Sequence, residues 1–204
     1  MLVLMMSGLT LSAQVEKGSW FVNGLNIMSY QVGSVRSAFP NEPDSKSTFS
    51  SFSIGPYSAI GPFAPIPSLA VAPSLNYGFT NQLTGGIFLD VTLWSEKDST
   101  KYKSSGIMFG PIVRYYLVDH KKFLPFVEGR LGIGTTSSKF GTTTSDKSNL
   151  LGWHLGAGAT YFFTPRIGAD FTLGYENIVD KVKNSDQKTT YGFVQFGTGI
   201  LVVF

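Results

Sequence analysis

Residues 83–95 read LTGGIFLDVTLWS, with Leu83, Ile87, Leu89, Val91 and Leu93 alternating with Thr84, Gly86, Asp90 and Thr92. The same two-residue period returns in 149–163, where Leu151, Trp153, Leu155, Ala157, Ala159 and Tyr161 alternate with Gly152, His154, Gly156, Gly158 and Thr160. It appears again in 166–177, with Ile167, Ala169, Phe171, Leu173 and Tyr175 set against Gly168, Asp170, Thr172, Gly174 and Glu176. Period two over this length predicts half-buried strands, not helices. In 188–204, Val194, Phe196, Thr198, Ile200, Val202 and Phe204 share one face, while Gln195, Gly197 and Gly199 share the other. Leu201 and Val203 weaken the contrast near the end. A soluble protein would leave such an apolar stripe exposed. Apolar outward, small or polar inward, and an aromatic final residue instead fit a bacterial outer-membrane barrel.

Eight strands are predicted, over 19–30, 68–79, 83–95, 105–118, 123–136, 149–163, 166–177 and 188–204. Tight turns at 80–82, 119–122 and 164–165 alternate with longer connections at 31–67, 96–104, 137–148 and 178–187. Outer-membrane barrels show this alternation of short periplasmic turns and long extracellular loops. An even strand number places both ends of the chain on the periplasmic side. Eleven residues at about 3.3 Å each, tilted about 40°, reach roughly 28 Å, enough for an apolar band of about 25 Å. The predicted fold is therefore all-β, an eight-stranded antiparallel up-and-down transmembrane β-barrel over 14–204. Pro73 and Pro111 fall inside strands although proline removes a ladder hydrogen bond. A bulge or a locally open ladder is expected at each.

Composition agrees. Of 204 residues only 14% are charged, against about 25% in a typical soluble domain, and no apolar run is long enough for a helical span. Cysteine is absent, which excludes disulfides and thiolate metal sites. The net charge of +3 is scattered, so no basic stripe suited to nucleic acid is predicted. The opening MLVLMMSGLTLSAQ has the apolar core and small-residue end of a secretory signal, cut after Ala13. It departs from the usual form, since no Lys or Arg precedes the apolar run and Leu11 stands three residues before the cut. A signal-peptide remnant is expected over 1–13. A buried strand or helix is the bland alternative.

Aromatic residues crowd the predicted strand ends. Trp20, Phe21, Tyr77, Phe79, Tyr115, Tyr116, Phe123, Tyr161, Phe162 and Phe163 lie toward the turns, and Tyr102, Trp153, Tyr175 and Tyr191 toward the loops. Two interfacial belts follow from that placement. The inward parity carries Asp90, Arg114, Glu128, Arg130, His154, Asp170 and Glu176. Eight strands enclose a space that side chains fill, so these charges are expected to pair as a lumenal network. The turn at 119–122 brings Arg114 opposite Glu128, with Arg130 shared among Glu128 and other acids. No catalytic, cofactor or metal residues are assigned, because His154 and His120 lack nearby partners in a motif. The glycines around Arg130 continue a strand and precede no helix, unlike a phosphate loop. The first long connection is the most unusual element. Its 49–67 stretch carries Phe52, Tyr57, Ile60 and Phe63 between Gly-Pro pairs. These are candidate contacts for an extracellular ligand. A loop folded beyond an extension of strand 68–79 is preferred to an extra hairpin, which would give ten strands.

Segments such as APSLNYGFTNQLTGGIFLDV (72–91), FGPIVRYYLVDHKKFLPFVEGRLGIG (109–134) and GAGATYFFTPRIGADFTLGY (156–175) resemble the small outer-membrane β-barrel family of OmpA/OmpX type, in its Bacteroidetes-like form. The resemblance covers about 18–204 and implies an eight-stranded barrel in the outer membrane. It carries no shared catalytic residues. The leading functional expectation is a filled barrel with a structural or surface-interaction role through its extracellular loops. A narrow porin-like pore and an outer-leaflet lipid-modifying enzyme are alternatives from other classes. A soluble lipocalin-like barrel is the fold alternative. Expected partners are outer-membrane lipid, the barrel assembly machinery through the C-terminal strand, and a ligand at the first loop. Nucleic acid and cofactors are not expected.

Overall fold

The computed structural model describes residues 15–39, 43–54, 57–58, 68–97, 101–118, 122–140, 143–183 and 185–204. The segment 1–13 lies outside the described residues, as do Ile60, Phe63 and His120. The strands are β1 (Trp20–Ala38), β2 (Ser45–Ile54), β3 (Tyr57–Ser58), β4 (Ser68–Val71), β5 (Ser74–Gly78), β6 (Leu83–Lys97), β7 (Lys101–Tyr116), β8 (Phe123–Phe140), β9 (Thr143–Phe162), β10 (Ile167–Val182) and β11 (Lys188–Val203).

Eight of them form a closed antiparallel ring. β1 pairs β11, the ladder continues in order through β10, β9, β8, β7 and β6, and β5 pairs both β6 and β1. Closure removes the strand edges that an open sheet would leave. The alternation read from the sequence is kept around the ring. Leu89, Phe109, Leu131, Leu155 and Phe171 face outward and exposed, while Phe88, Met108, Arg114, Glu128, Thr160 and Asp170 are buried inside. Leu131, at 62% exposure, is typical of an outer face with no protein against it.

Two features differ from the expected layout, and a third is the irregularity expected at Pro73. First, the strands rise well past their predicted ends. β1 runs to Ala38 and β8 to Phe140, so the connection expected at 137–148 is largely ladder, and that expected at 178–187 is ladder as far as Val182. Polar residues occupy both faces there, which hides the two-residue period from the sequence. Second, Ser45–Ile54, expected within a loop, pairs with β1 from Ser37–Ser45 to Met28–Ile54. The first connection is thus partly hairpin, while the ring itself keeps eight strands. Third, the predicted strand 68–79 breaks at Ala72–Pro73. β4 pairs the upper part of β6 and β5 the lower part, with the Leu89 amide donating to the Pro73 carbonyl at 2.9 Å.

The break is matched on the facing strand. β1 shifts register against β11 between Asn23 and Leu25 and again between Asn26 and Met28. Two bulges restore the inward parity, so Asn23 and Ser29 are both buried. Gly24 lies at φ +124°, where a Cβ would run into the Ala72 carbonyl. At Pro111 the expected open ladder is found. β7 keeps one register with β8 from Phe109–Ile133 to Ile112–Arg130, with no pair at Gly110 or Pro111.

The interior is layered. At the end where the described residues begin and finish, Val15, Phe21, Tyr116, Leu124, Phe126, Phe162, Leu201 and Val203 form an apolar floor. This explains the weakened contrast in β11, because Leu201 and Val203 point into that floor. It also corrects the aromatic belt: Phe21, Tyr116 and Phe162 turn inward, while Trp20, Phe79, Tyr115, Phe123, Tyr161 and Phe163 stay outside. Phe88, Met108 and Ile112 pack at mid-height, and Val35, Phe49 and Phe193 form a third cluster toward the loops, with Tyr191 packed against it.

Candidate functional site

The polar centre of the molecule lies directly above the apolar floor. The turn between β7 and β8 places Arg114 opposite Glu128 in register. Arg114 is 4% exposed and Glu128 is 4% exposed. Arg114 donates to Glu128 Oε2 from Nε at 2.9 Å and from Nη2 at 2.7 Å. Its Nη1 reaches across the lumen to Asp170 Oδ2 at 2.6 Å and donates to the Tyr116 hydroxyl at 3.3 Å. The guanidinium carbon stands 3.8 Å from the centroid of Phe126, which ties the ion to the floor below.

Asp170 is satisfied from both sides. Asn23 Nδ2 donates to its Oδ2 at 2.5 Å and Thr160 Oγ1 to its Oδ1 at 2.6 Å. Glu128 receives a second cation, as Arg130 donates to Oε1 from Nε at 2.9 Å and from Nη2 at 2.5 Å. Charged hydrogen bonds of this kind offset the desolvation of buried ions only when nearly every oxygen is engaged. Glu128 and Asp170 meet that condition.

The upper rim of the network is looser. His154 sits opposite Arg130 on β8 and Glu176 on β10. Its Nε2 lies 3.8 Å from Glu128 Oε1 and its Nδ1 lies 3.8 Å from Glu176 Oε2, too long for hydrogen bonds. Neither nitrogen has a hydrogen-bond partner. Gly156 and Gly174 make room for the ring, since a Cβ at Gly174 would lie 2.5 Å from His154 Cε1. Asp90 does not join the paired core, and its Oδ1 is buried without a hydrogen-bond partner. Among the described ion pairs Arg130 engages Glu128, and it interacts with Asp90 and Glu176 only at longer range. Sequence reasoning did not place Asn23 and Thr160 in the network. Their inward parity beside Asp170 was the available signal.

Two of the four candidate loop residues fall within the described residues. Phe52 stands 55% exposed on β2. Tyr57 falls in β3, opposite Leu69. Ile60 and Phe63 are outside the described residues.

A closed ring with an apolar exterior and a packed, ion-paired interior defines a small transmembrane β-barrel. The family model described as "Outer membrane protein beta-barrel domain" matches residues 1–203, and the chain belongs to that family. Among solved structures, Neisserial surface protein A is similar at TM-score 0.50 and 16% identity, over 91% of this chain and 99% of that one. Outer membrane protein OprG from Pseudomonas aeruginosa is similar at TM-score 0.52 and 11% identity, over 93% of this chain and 97% of that one. At such identities the likeness is one of fold. No curated protein matches the chain. The protein is an outer-membrane barrel in contact with outer-membrane lipid.

Proposed function

We propose that this barrel acts as a filled scaffold, with both termini periplasmic, whose extracellular extensions carry a structural or surface-interaction role. The observation that supports this reading most is the Arg114–Glu128–Asp170 centre resting on a continuous apolar floor. The interior is occupied where a pore would need water. The lumenal charges Asp90, Arg114, Glu128, Arg130, Asp170 and Glu176 are then a plug, and 1–13 a signal removed on export. The final strand, with Phe204 exposed at its end, is the element offered to the assembly machinery. Phe52 is the described loop residue most available to a ligand. A non-enzymatic role is favoured because a hydrolytic base must touch its nucleophile, and neither His154 nitrogen has a hydrogen-bond partner.

Planar-bilayer recording of the purified protein tests the reading. Silence at moderate voltage is expected, and steady ion conductance would replace the scaffold with a narrow pore. Lipid A from cells with and without the protein should be identical by mass spectrometry. A modified species would replace it with a lipid-modifying enzyme.

A further inference from the structure

The strand extensions above the apolar band carry an unusual arrangement of charge. Lys103 on β7 pairs directly with Lys139 on β8, and Lys181 on β10 pairs directly with Lys188 on β11. Beyond the Val182–Ser148 pair, the Lys183 amide donates to the Lys147 carbonyl at 2.9 Å, so these two residues also oppose each other. Like charges set opposite across a ladder are destabilising unless something else neutralises them. All six side chains are exposed, and none makes an ion pair among the described residues. By contrast, the exposed Arg36 on β1 is bound to Asp44 at 2.6 Å.

The six lysines span five consecutive strands of the ring, β7 to β11. Lys103, Lys139, Lys147, Lys181 and Lys188 share the outward parity of Ile107, Ile133, Leu151, Tyr175 and Val194. They stand four to six residues beyond those apolar positions. At 3.3 Å per residue and a 40° tilt, that is roughly 10–15 Å above the last lipid-facing side chains. The ring pair of Trp153 and Tyr175, with centroids 5.5 Å apart, marks the interface just below. Lysine stems can lie back along the wall and lower their ammonium groups toward that level. Among the residues of these extensions whose side chains are described, Asp186 is the exposed acid, while Asp180 faces inward and accepts from Thr136 at 3.4 Å. An open cleft beside the patch is lined by Asn149, Lys181, Lys183, Ser185 and Asp186.

We infer that this basic arc binds the phosphate groups of anionic glycolipid headgroups in the outer leaflet. The lysines face sideways along the membrane plane, where headgroups lie, not upward toward a soluble polyanion. Phosphates shared between opposed lysines supply the missing neutralisation of all three pairs. One side of the barrel, β7 to β11, thereby gains a bound lipid collar, while the β1–β2 side stays free for other contacts. The inference rests on the loop end being extracellular.

Fluorescent diphosphoryl lipid A and its dephosphorylated form are titrated against the purified, folded protein in a nonionic detergent. The comparison is with a variant carrying K103Q, K139Q, K147Q, K181Q, K183Q and K188Q. Wild type is expected to bind the diphosphoryl form, more weakly as salt rises, and the variant at least about tenfold more weakly. A smaller loss, or equal binding of the dephosphorylated lipid, overturns the inference. So does displacement of the lipid by inorganic phosphate at equal concentration, which would mark a free-anion site. A gel shift on boiling verifies that the variant is folded. Should it fail to fold, K139E with K181E is the replacement and is read the same way. Orientation is tested separately with Ser185→Cys and a membrane-impermeant maleimide on intact cells. Absence of labelling there removes the extracellular reading, whereas lost lipid selectivity in detergent removes this inference alone.

Discussion

Arg114 and Glu128 face each other across β7 and β8 at 2.7 Å, and the same guanidinium grips Asp170 from the opposite wall at 2.6 Å. One cation thus cross-links two walls of the barrel through its interior. Replacing it with an apolar residue leaves two buried carboxylates short of a partner. Arg114→Met is expected to lower unfolding free energy by about 3–5 kcal/mol. Adding Glu128→Gln and Asp170→Asn should recover part of that loss, because the unpaired charges go with the cation. Urea unfolding in lipid vesicles, followed by gel mobility without boiling, measures both. An unchanged midpoint for Arg114→Met would mean the network contributes nothing.

Outward exposure has a different meaning in lipid and in water. Leu131 lies on the outer face amid the apolar band. In a soluble barrel, Leu131→Arg would be a mild surface change. Against hydrocarbon it is expected to cost about 2–4 kcal/mol. Lys139→Arg, farther along β8, should be neutral. Parallel vesicle-refolding titrations decide the matter, and equal stability of the two variants would contradict the membrane placement.

The seam between β1 and the β4–β5 break depends on a residue without a side chain. Gly24 has φ +124°, and a Cβ there would meet the Ala72 carbonyl and stand 2.5 Å from Pro73 Cα. Gly24→Ala is expected to cost about 1–3 kcal/mol from backbone strain alone, with more from overlap. Gly129 is the contrast, since its added Cβ would come no closer than 3.5 Å, to Leu155 Cδ2, at an ordinary φ. Gly129→Ala should stay within about 0.5 kcal/mol of wild type. Refolding yield and urea midpoints of the two variants test the contrast.

These contrasts mark where the sequence could be read and where it could not. The outward faces of β6, β9, β10 and β11 were readable because lipid imposes one continuous requirement, apolarity at every second position. The Arg114–Glu128 pair was readable because a tight turn fixes register between consecutive strands. The Arg114–Asp170 bond joins β7 to β10, and its existence depends on how far the closed ring shears. No local pattern encodes that. The upper ladder of β1 and β2 was hidden for another reason. Water bathes polar side chains such as Ser47 and Thr48, so neither parity is marked by hydrophobicity. The Pro73 break was signalled by the proline, whereas the compensating double bulge at Gly24 on β1 was not.

Phe126 offers a last test, because it joins the two layers of the interior. It is 1% exposed, packs edge-on to Tyr116 with centroids 5.8 Å apart, and lies beneath the Arg114 guanidinium. Phe126→Leu keeps most of the apolar volume but loses the ring beneath the cation, at an expected cost of about 1–2 kcal/mol. Phe126→Ala also leaves a void beside Gly158 and is expected to cost about 3–5 kcal/mol. Neither change opens the floor, since Phe21, Leu124, Phe162 and Leu201 remain packed across it. Both variants should therefore lose stability in urea while staying electrically silent in planar bilayers. Conductance appearing in Phe126→Ala, with wild type silent, would show that one ring seals the lumen and that the floor is thinner than its packing implies.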